Sequence, residues 1–272
     1  MLLITHTWIL KEFLGSCPIS HSILDLYAYN ASPDLLPIHK EITAEHTHGI
    51  PRFCPLPANC EKAAFAQFHL LVDDIAHHGR IERNPVRGFN PDSEGYTYVT
   101  GRSLMEPLTA LLRNIGQQIS YNELAYRSHM IIEMAFDMAL YRKMGNEDLL
   151  GLFADALNFT IDHKISEFSH TLGWLYGISD QTIRESIDWG KDACTLERMH
   201  RFMSEEGRIG LFMDKFGLDR NNPYIWSTLG ELMEEGLYLV RDYEAFLQPT
   251  LKAILEAGFV NPLGRLFDKS GA

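Results

Sequence analysis

Apolar positions recur at steps of three and four through most of the chain, and no stretch offers several consecutive positions of strand-like alternation. The pattern predicts an all-α, multi-helical protein. Residues 1–14 read as a mostly buried first helix with His6 near its start. A second helix over 21–29 ends at Asn30-Ala31-Ser32-Pro33-Asp34, where Pro33 and Pro37 are expected to break it and leave Asp34 on a turn. A short polar stretch over 39–48 follows, and Pro51, Pro55 and Pro57 impose irregular backbone until a helix over 61–77. Residues 80–101 read as a long loop rich in Gly, Pro, Asn and Asp, followed by a short helix over 103–115. The segment 122–144 is the clearest amphipathic helix of the first half, stopped by Gly145-Asn146. Beyond it the pattern is helical over 149–176, 181–189, 196–216, 224–246 and 250–256.

No linker, charge block, low-complexity run or fixed-period repeat divides the 272 residues. The expectation is a single all-α domain over 1–272, in which 1–148 carries the candidate chemistry and 149–272 is a helical extension. With 46% hydrophobic and 22% charged residues, the chain has enough apolar mass for a sizeable core. A formal charge of -12 argues against binding duplex nucleic acid through its phosphates. It leaves a small phosphoester substrate open, because a bound cation supplies positive charge that a residue count misses. No apolar run reaches the roughly 18 residues of a transmembrane segment. The start, MLLITHTWIL, has neither a basic n-region nor a long apolar segment, so a cytoplasmic location is expected. Cys17, Cys54, Cys60 and Cys194 form no CxxC pair and suit reduced thiols.

The chemistry concentrates in FAQFHLLVDDIAHHG, residues 65–79, where His69, Asp73, Asp74, His77 and His78 sit within an apolar helical run. Helical residues four apart share a face, so His69 and Asp73 present an imidazole and a carboxylate to one point. RSHMIIEMAFD, residues 127–137, repeats the device with His129, Glu133 and Asp137. A lone pair of this kind is usually a hydrogen bond on a helix surface. Two pairs, each embedded in apolar sequence, point to buried titratable groups that a divalent metal would partner. His6, Asp34 and His48 are further ligand-type residues near element ends.

The order His6 (THTWI), Asp34 (ASPDL), His48 (EHTHG), His69 and Asp73 (HLLVD), a nearby histidine, then His129 and Glu133 (HMIIEMAFD) resembles the zinc-dependent phospholipase C family and the related single-strand nucleases, over about residues 1–142. The resemblance implies an all-α fold, hydrolysis of a phosphoester, and a cluster of zinc ions. Carried over, Asp34, His48, His69 and Asp73 would hold one zinc, and His77 or His78 with His129 and Glu133 a second. His6 and a bridging Asp73 would serve a third, and Asp137 would orient a ligand histidine. Asp34 could equally act as general base. The chain departs from the family at two points: Met1 and four more residues precede His6 where the family uses the free amine of an N-terminal Trp, and the histidine expected six residues after Asp73 is replaced by Gly79. Two zinc ions are therefore expected. The substrate would be a phospholipid, a nucleotide or another phosphodiester or monoester, with Arg80, Arg83, Arg87 and Arg102 as phosphate contacts at its rim.

Other readings compete. A ferritin-like di-iron or di-manganese bundle needs paired Glu-x-x-His motifs, which Glu45-x-x-His48 and Glu197-x-x-His200 supply. A non-catalytic helical scaffold could bind metal for stability alone. His39 and His46 read as surface residues, either able to replace His48 by a small register shift, and Cys194 reads as core. His163, Glu167 and His170 share a helix face without a clear partner.

Overall fold

The computed structural model describes residues 3–15, 23–85, 90–143, 148–259 and 262, and every regular element among them is helical. In chain order these are α1 (Leu3–Leu14), α2 (Asp25–Leu35), α3 (Ala44–His48), α4 (Ala63–His78), α5 (Tyr96–Gly101), α6 (Met105–Asn114) and α7 (Tyr121–Lys143). There follow α8 (Leu149–Phe159), α9 (Ile165–Tyr176), α10 (Asp180–Ala193), α11 (Leu196–Phe202), α12 (Glu205–Lys215), α13 (Pro223–Leu239) and α14 (Glu244–Glu256). A π-helical turn over Thr160–Lys164 joins α8 to α9. None of the described helices is long and apolar enough to cross a membrane.

Helices α4 and α7 are buried along most of their length; α7, amphipathic in sequence, also buries its polar residues Arg127, His129, Glu133 and Asp137. Phe65, Phe68 and Leu71 of α4 and Ile132, Phe136 and Met138 of α7 are fully buried. Each such side chain contributes roughly 1.5–3 kcal/mol over leaving it exposed. Around this pair, α2 packs on α4 and α8, α1 packs on α2, α7 and α8, and α13 covers α7. The buried apolar residues of 1–148 and 149–272 form one contiguous cluster. The two halves thus share a core.

Four boundaries differ from the sequence expectation. Helix α2 runs through Pro33 to Leu35, so Asp34 lies in its last turn. Pro33 cannot donate to the Tyr29 carbonyl, but the Ser32 hydroxyl donates to it instead at 2.7 Å, and the helix continues. The segment expected as loop over 80–101 contains α5, and a 3₁₀ turn over Arg102–Leu104 links it to α6. The expected helix over 196–216 is two helices, because the Ser204 hydroxyl accepts from the Gly207 N–H and starts α12 anew. Likewise 224–246 stops at Leu239, and α14 begins at Glu244 and passes through Pro249.

Candidate metal centre

Asp73 is the hub of a first cluster built from four helices. Its Oδ1 lies 3.2 Å from His6 Nε2, and its Oδ2 lies 3.3 Å from His69 Nε2 and 3.6 Å from His48 Nε2. Asp34 faces the same histidines, with Oδ1 3.4 Å from His48 Nε2 and Oδ2 3.6 Å from His69 Nε2. The His6 and His69 rings stack with centroids 3.6 Å apart. The cluster opens to solvent on one side, where the Asp34 and His48 side chains are 45% and 31% exposed.

Each contributing element is held by its own backbone-directed bonds. Asp137 accepts from the Ile4 and Thr5 amides at 3.3 and 3.0 Å and from the Thr5 hydroxyl at 2.7 Å, and so caps the start of α1 just before His6. Thr47 Oγ1 donates to the Pro33 carbonyl at 2.8 Å, which ties the residue before His48 to the residue before Asp34. His48 Nδ1 lies 3.1 Å from the Ala44 carbonyl, which can only accept. The proton is thereby placed on Nδ1, and Nε2 is turned to the carboxylates.

The second cluster uses two helices. His77, at the end of α4, bonds Glu133 Oε1 through Nε2 at 2.7 Å, and His129 Nε2 is 4.0 Å from the same oxygen. Tyr98 of α5 stacks on His129 at 4.6 Å between centroids, nearly parallel at 5°. Two glycines let α5 lie this close. A Cβ at Gly95 would overlap the His77 carbonyl, and one at Gly101 would come within 3.2 Å of the Ser128–His129 backbone. Thr97 Oγ1 donates to the Ala76 carbonyl at 2.9 Å, and the Ser93 hydroxyl donates to the His77 carbonyl.

The electrostatics suit a cation. Burial pushes the His6 imidazole down to about 4 and His129 to about 3, so both are neutral with a lone pair at pH 7. Burial opposes ionisation of Asp73 and Glu133, yet nearby positive charge together with the hydrogen bonds from His48 to Asp73 and from His77 to Glu133 outweighs it and holds both well below the usual carboxylate range. The surrounding protein pushes Asp34 up as well, but His69 and the hydrogen bond from His48 bring it to about 2. For His48 burial favours the neutral form, but its bonds to Asp34 and Asp73 raise it to about 10, so a metal there would displace a proton. Both ring nitrogens of the buried His69 lack a hydrogen-bond partner among the described residues. A metal would satisfy one of them.

No family model, curated protein or solved structure matches this chain. The likeness to the phospholipase C and nuclease family therefore rests on residue order alone.

Of the expected ligands, three groups come within reach of a single ion: His6, His69 and Asp73; Asp34, His48 and His69; and His77, His129 and Glu133. His78 joins none of them. Steps of four connect His69, Asp73 and His77, and that spacing is the sequence signal that separates His77 from its neighbour. Asp137 does not orient a ligand histidine as expected; its bonds go to α1 and, at 3.1 Å, to Arg208 of α12. Asp74 pairs with Arg52, which the sequence reading passed over. His39 is buried rather than on the surface, stacked on Trp189 at 4.6 Å, whereas His46 caps α3 together with Thr43. The ferritin-like set does not converge: His48 belongs to the first cluster, and His200 bonds the Tyr141 hydroxyl at 2.7 Å. Glu167 pairs with Lys62 and Lys164, and His170 faces Asp180. Arg80 pairs with Glu82 and Arg102 donates to the Ser93 carbonyl, while Arg87 and Cys17 lie outside the described residues. Cys54, Cys60 and Cys194 are free thiols, and burial pushes Cys194 up to about 11.

Proposed function

We propose that this protein is a metal-dependent phosphoester hydrolase with zinc at two sites. Asp34, His48, His69 and Asp73 would hold one ion and His77, His129 and Glu133 the other, with His6 completing a third position against Asp73. The observation that carries the reading is the spacing of the first cluster's donors. Its nitrogen–oxygen separations of 3.3 to 3.6 Å, to one oxygen of Asp73 and both of Asp34, lie near the edge of about 3.3 Å that a tetrahedron acquires when its bonds are about 2.0–2.1 Å. When bound, such ions would polarise phosphoryl oxygens and lower the pKa of a bound water. Asp34, ionised and half-exposed, is placed to take a proton from a water entering on the open side. His6 and His69 close the opposite, buried side and exclude solvent there.

Metal analysis of protein purified without chelator tests the reading, with turnover of a chromogenic phosphodiester measured alongside. About two zinc ions per chain are expected, and turnover should vanish in His69→Ala and His129→Ala while the helical circular dichroism signal persists. Less than one transition metal per chain would sink the proposal. Metal at both sites without phosphoester turnover would favour a structural role.

A further inference from the structure

The ligand His48 comes from α3, a helix of only five residues whose ligand side chain is partly exposed. So short an element takes its distance from α4 from bonds beside it: Thr47 Oγ1 donates to the Pro33 carbonyl at 2.8 Å, and Gln67 Nε2 of α4 donates to the Pro51 carbonyl at 3.0 Å. The tie with the most bonds is Arg52, four residues on. Its Nε and Nη2 donate to Asp74 Oδ2 and Oδ1 at 3.0 and 2.7 Å, while its Nη1 donates to the carbonyls of His48 and Ile50 at 2.8 and 2.9 Å. Both partners are buried, Arg52 5% and Asp74 1% exposed. Asp74 Oδ2 also accepts from the Glu82 amide at 3.0 Å, so the carboxylate is fixed from a second direction.

Asp73 and Asp74 are consecutive on α4. One carboxylate turns to His6, His48 and His69, the other to Arg52. The guanidinium therefore runs from the main chain of one ligand to the residue beside another. We propose that Arg52 is a positioning residue for the first metal site, setting the distance between His48 and the His69/Asp73 pair through Asp74. The inference rests on the metal-binding reading above. It requires a planar fork with several donors in fixed directions. A lysine ammonium, a single point charge on a flexible stem, cannot bond Asp74 through two nitrogens and both carbonyls at once.

The test isolates each site. In a His129→Ala background the first cluster remains to be titrated with zinc against a chromophoric chelator; in a His69→Ala background, which breaks both groups of the first cluster, the second is read. Arg52→Lys keeps the charge, and the paired change Arg52→Met with Asp74→Leu leaves no buried charge unpartnered, so one variant or the other keeps a folded protein to measure. The Kd of the first site should rise about tenfold or more in both, as when an outer-shell partner of a metal ligand is lost, and that of the second should stay put. An unchanged first site, or equal weakening at both, overturns the positioning role while leaving the metal reading intact. A parent protein that takes up no zinc at either site overturns the metal reading itself.

Discussion

The two clusters differ in how their donor groups are assembled for the metal proposed at each. In the first, Asp34 and His48 come from separate helices to meet His69 and Asp73 of α4 at nitrogen–oxygen separations of 3.3 to 3.6 Å, and a metal would have to displace a proton from His48. In the second, His77 and Glu133 are already joined by a 2.7 Å hydrogen bond, which a metal would have to open. The first site's groups are spaced at 3.3 to 3.6 Å by α2, α3 and α4, and the second is closed by one short hydrogen bond. Affinity should be higher at the first, where two ionised carboxylates face the ion against one at the second.

Chelation gives the largest test of this difference. With free zinc at a thousand times Kd, each site adds about 4 kcal/mol to stability. Removing both ions with a chelator should lower the unfolding midpoint by on the order of 10 °C or more in a chain of this size. Calorimetry with graded chelator should show the second site emptying first. A midpoint that ignores chelator would remove the basis for comparing the sites.

Next in size is Arg208→Met. Arg208, from α12, is one residue through which the second half of the chain reaches the first cluster, by way of Asp137 and the start of α1. Removing it leaves Asp137 buried with its charge uncompensated on that side, a change expected to cost about 3–5 kcal/mol. Denaturant unfolding should register that loss. Zinc binding at the first cluster should weaken with it, since His6 follows Thr5 directly, and binding at the second should not. Equal losses at the two clusters would mean that the halves are not coupled through α1.

Why some of this was readable and some was not follows from the periods involved. His69 with Asp73 and His129 with Glu133 are pairs within one helix, so a spacing of four placed them without tertiary knowledge. His6, Asp34 and His48 lie on three separate elements, and only their order along the chain suggested them. Helix α2 was expected to stop before Asp34 because proline removes a donor, and the Ser32 hydroxyl that replaces that donor is invisible to a rule about proline. Helix α5 was missed because six residues amid Gly, Pro and Asp carry no periodic signal. Its identity lies in Gly95 and Gly101, which are small because α4 and α7 pass so near. Arg52 and Arg208 are buried only because distant carboxylates receive them, and no local pattern reports that.

Gly95→Ala acts on the second cluster alone. The new methyl must displace the His77 carbonyl or shift α5, an overpacking cost of roughly 1–3 kcal/mol. Zinc binding should fall at the site containing His77 and hold at the site containing Asp73, measured by titration in single-site backgrounds. If both fall together, α5 supports the whole core and not the α4–α7 approach.

The smallest effect is the sharpest on the adjacent histidines. Consecutive helical residues point about 100° apart, so with His77 turned to Glu133 its neighbour cannot face the same oxygen. His78 is half-buried, and burial first, then the charge of His77, lowers its pKa, which leaves it a neutral side chain at the end of α4. His78→Ala should change stability by no more than about 0.5 kcal/mol, as for a position outside any buried network, and should leave both zinc ions in place. His77→Ala should remove the second ion and leave Glu133 without its hydrogen bond. Should the His78 variant lose the ion and the His77 variant keep it, α4 would have to rotate by a full residue when metal binds, and the 2.7 Å contact between His77 and Glu133 would describe only the metal-free state.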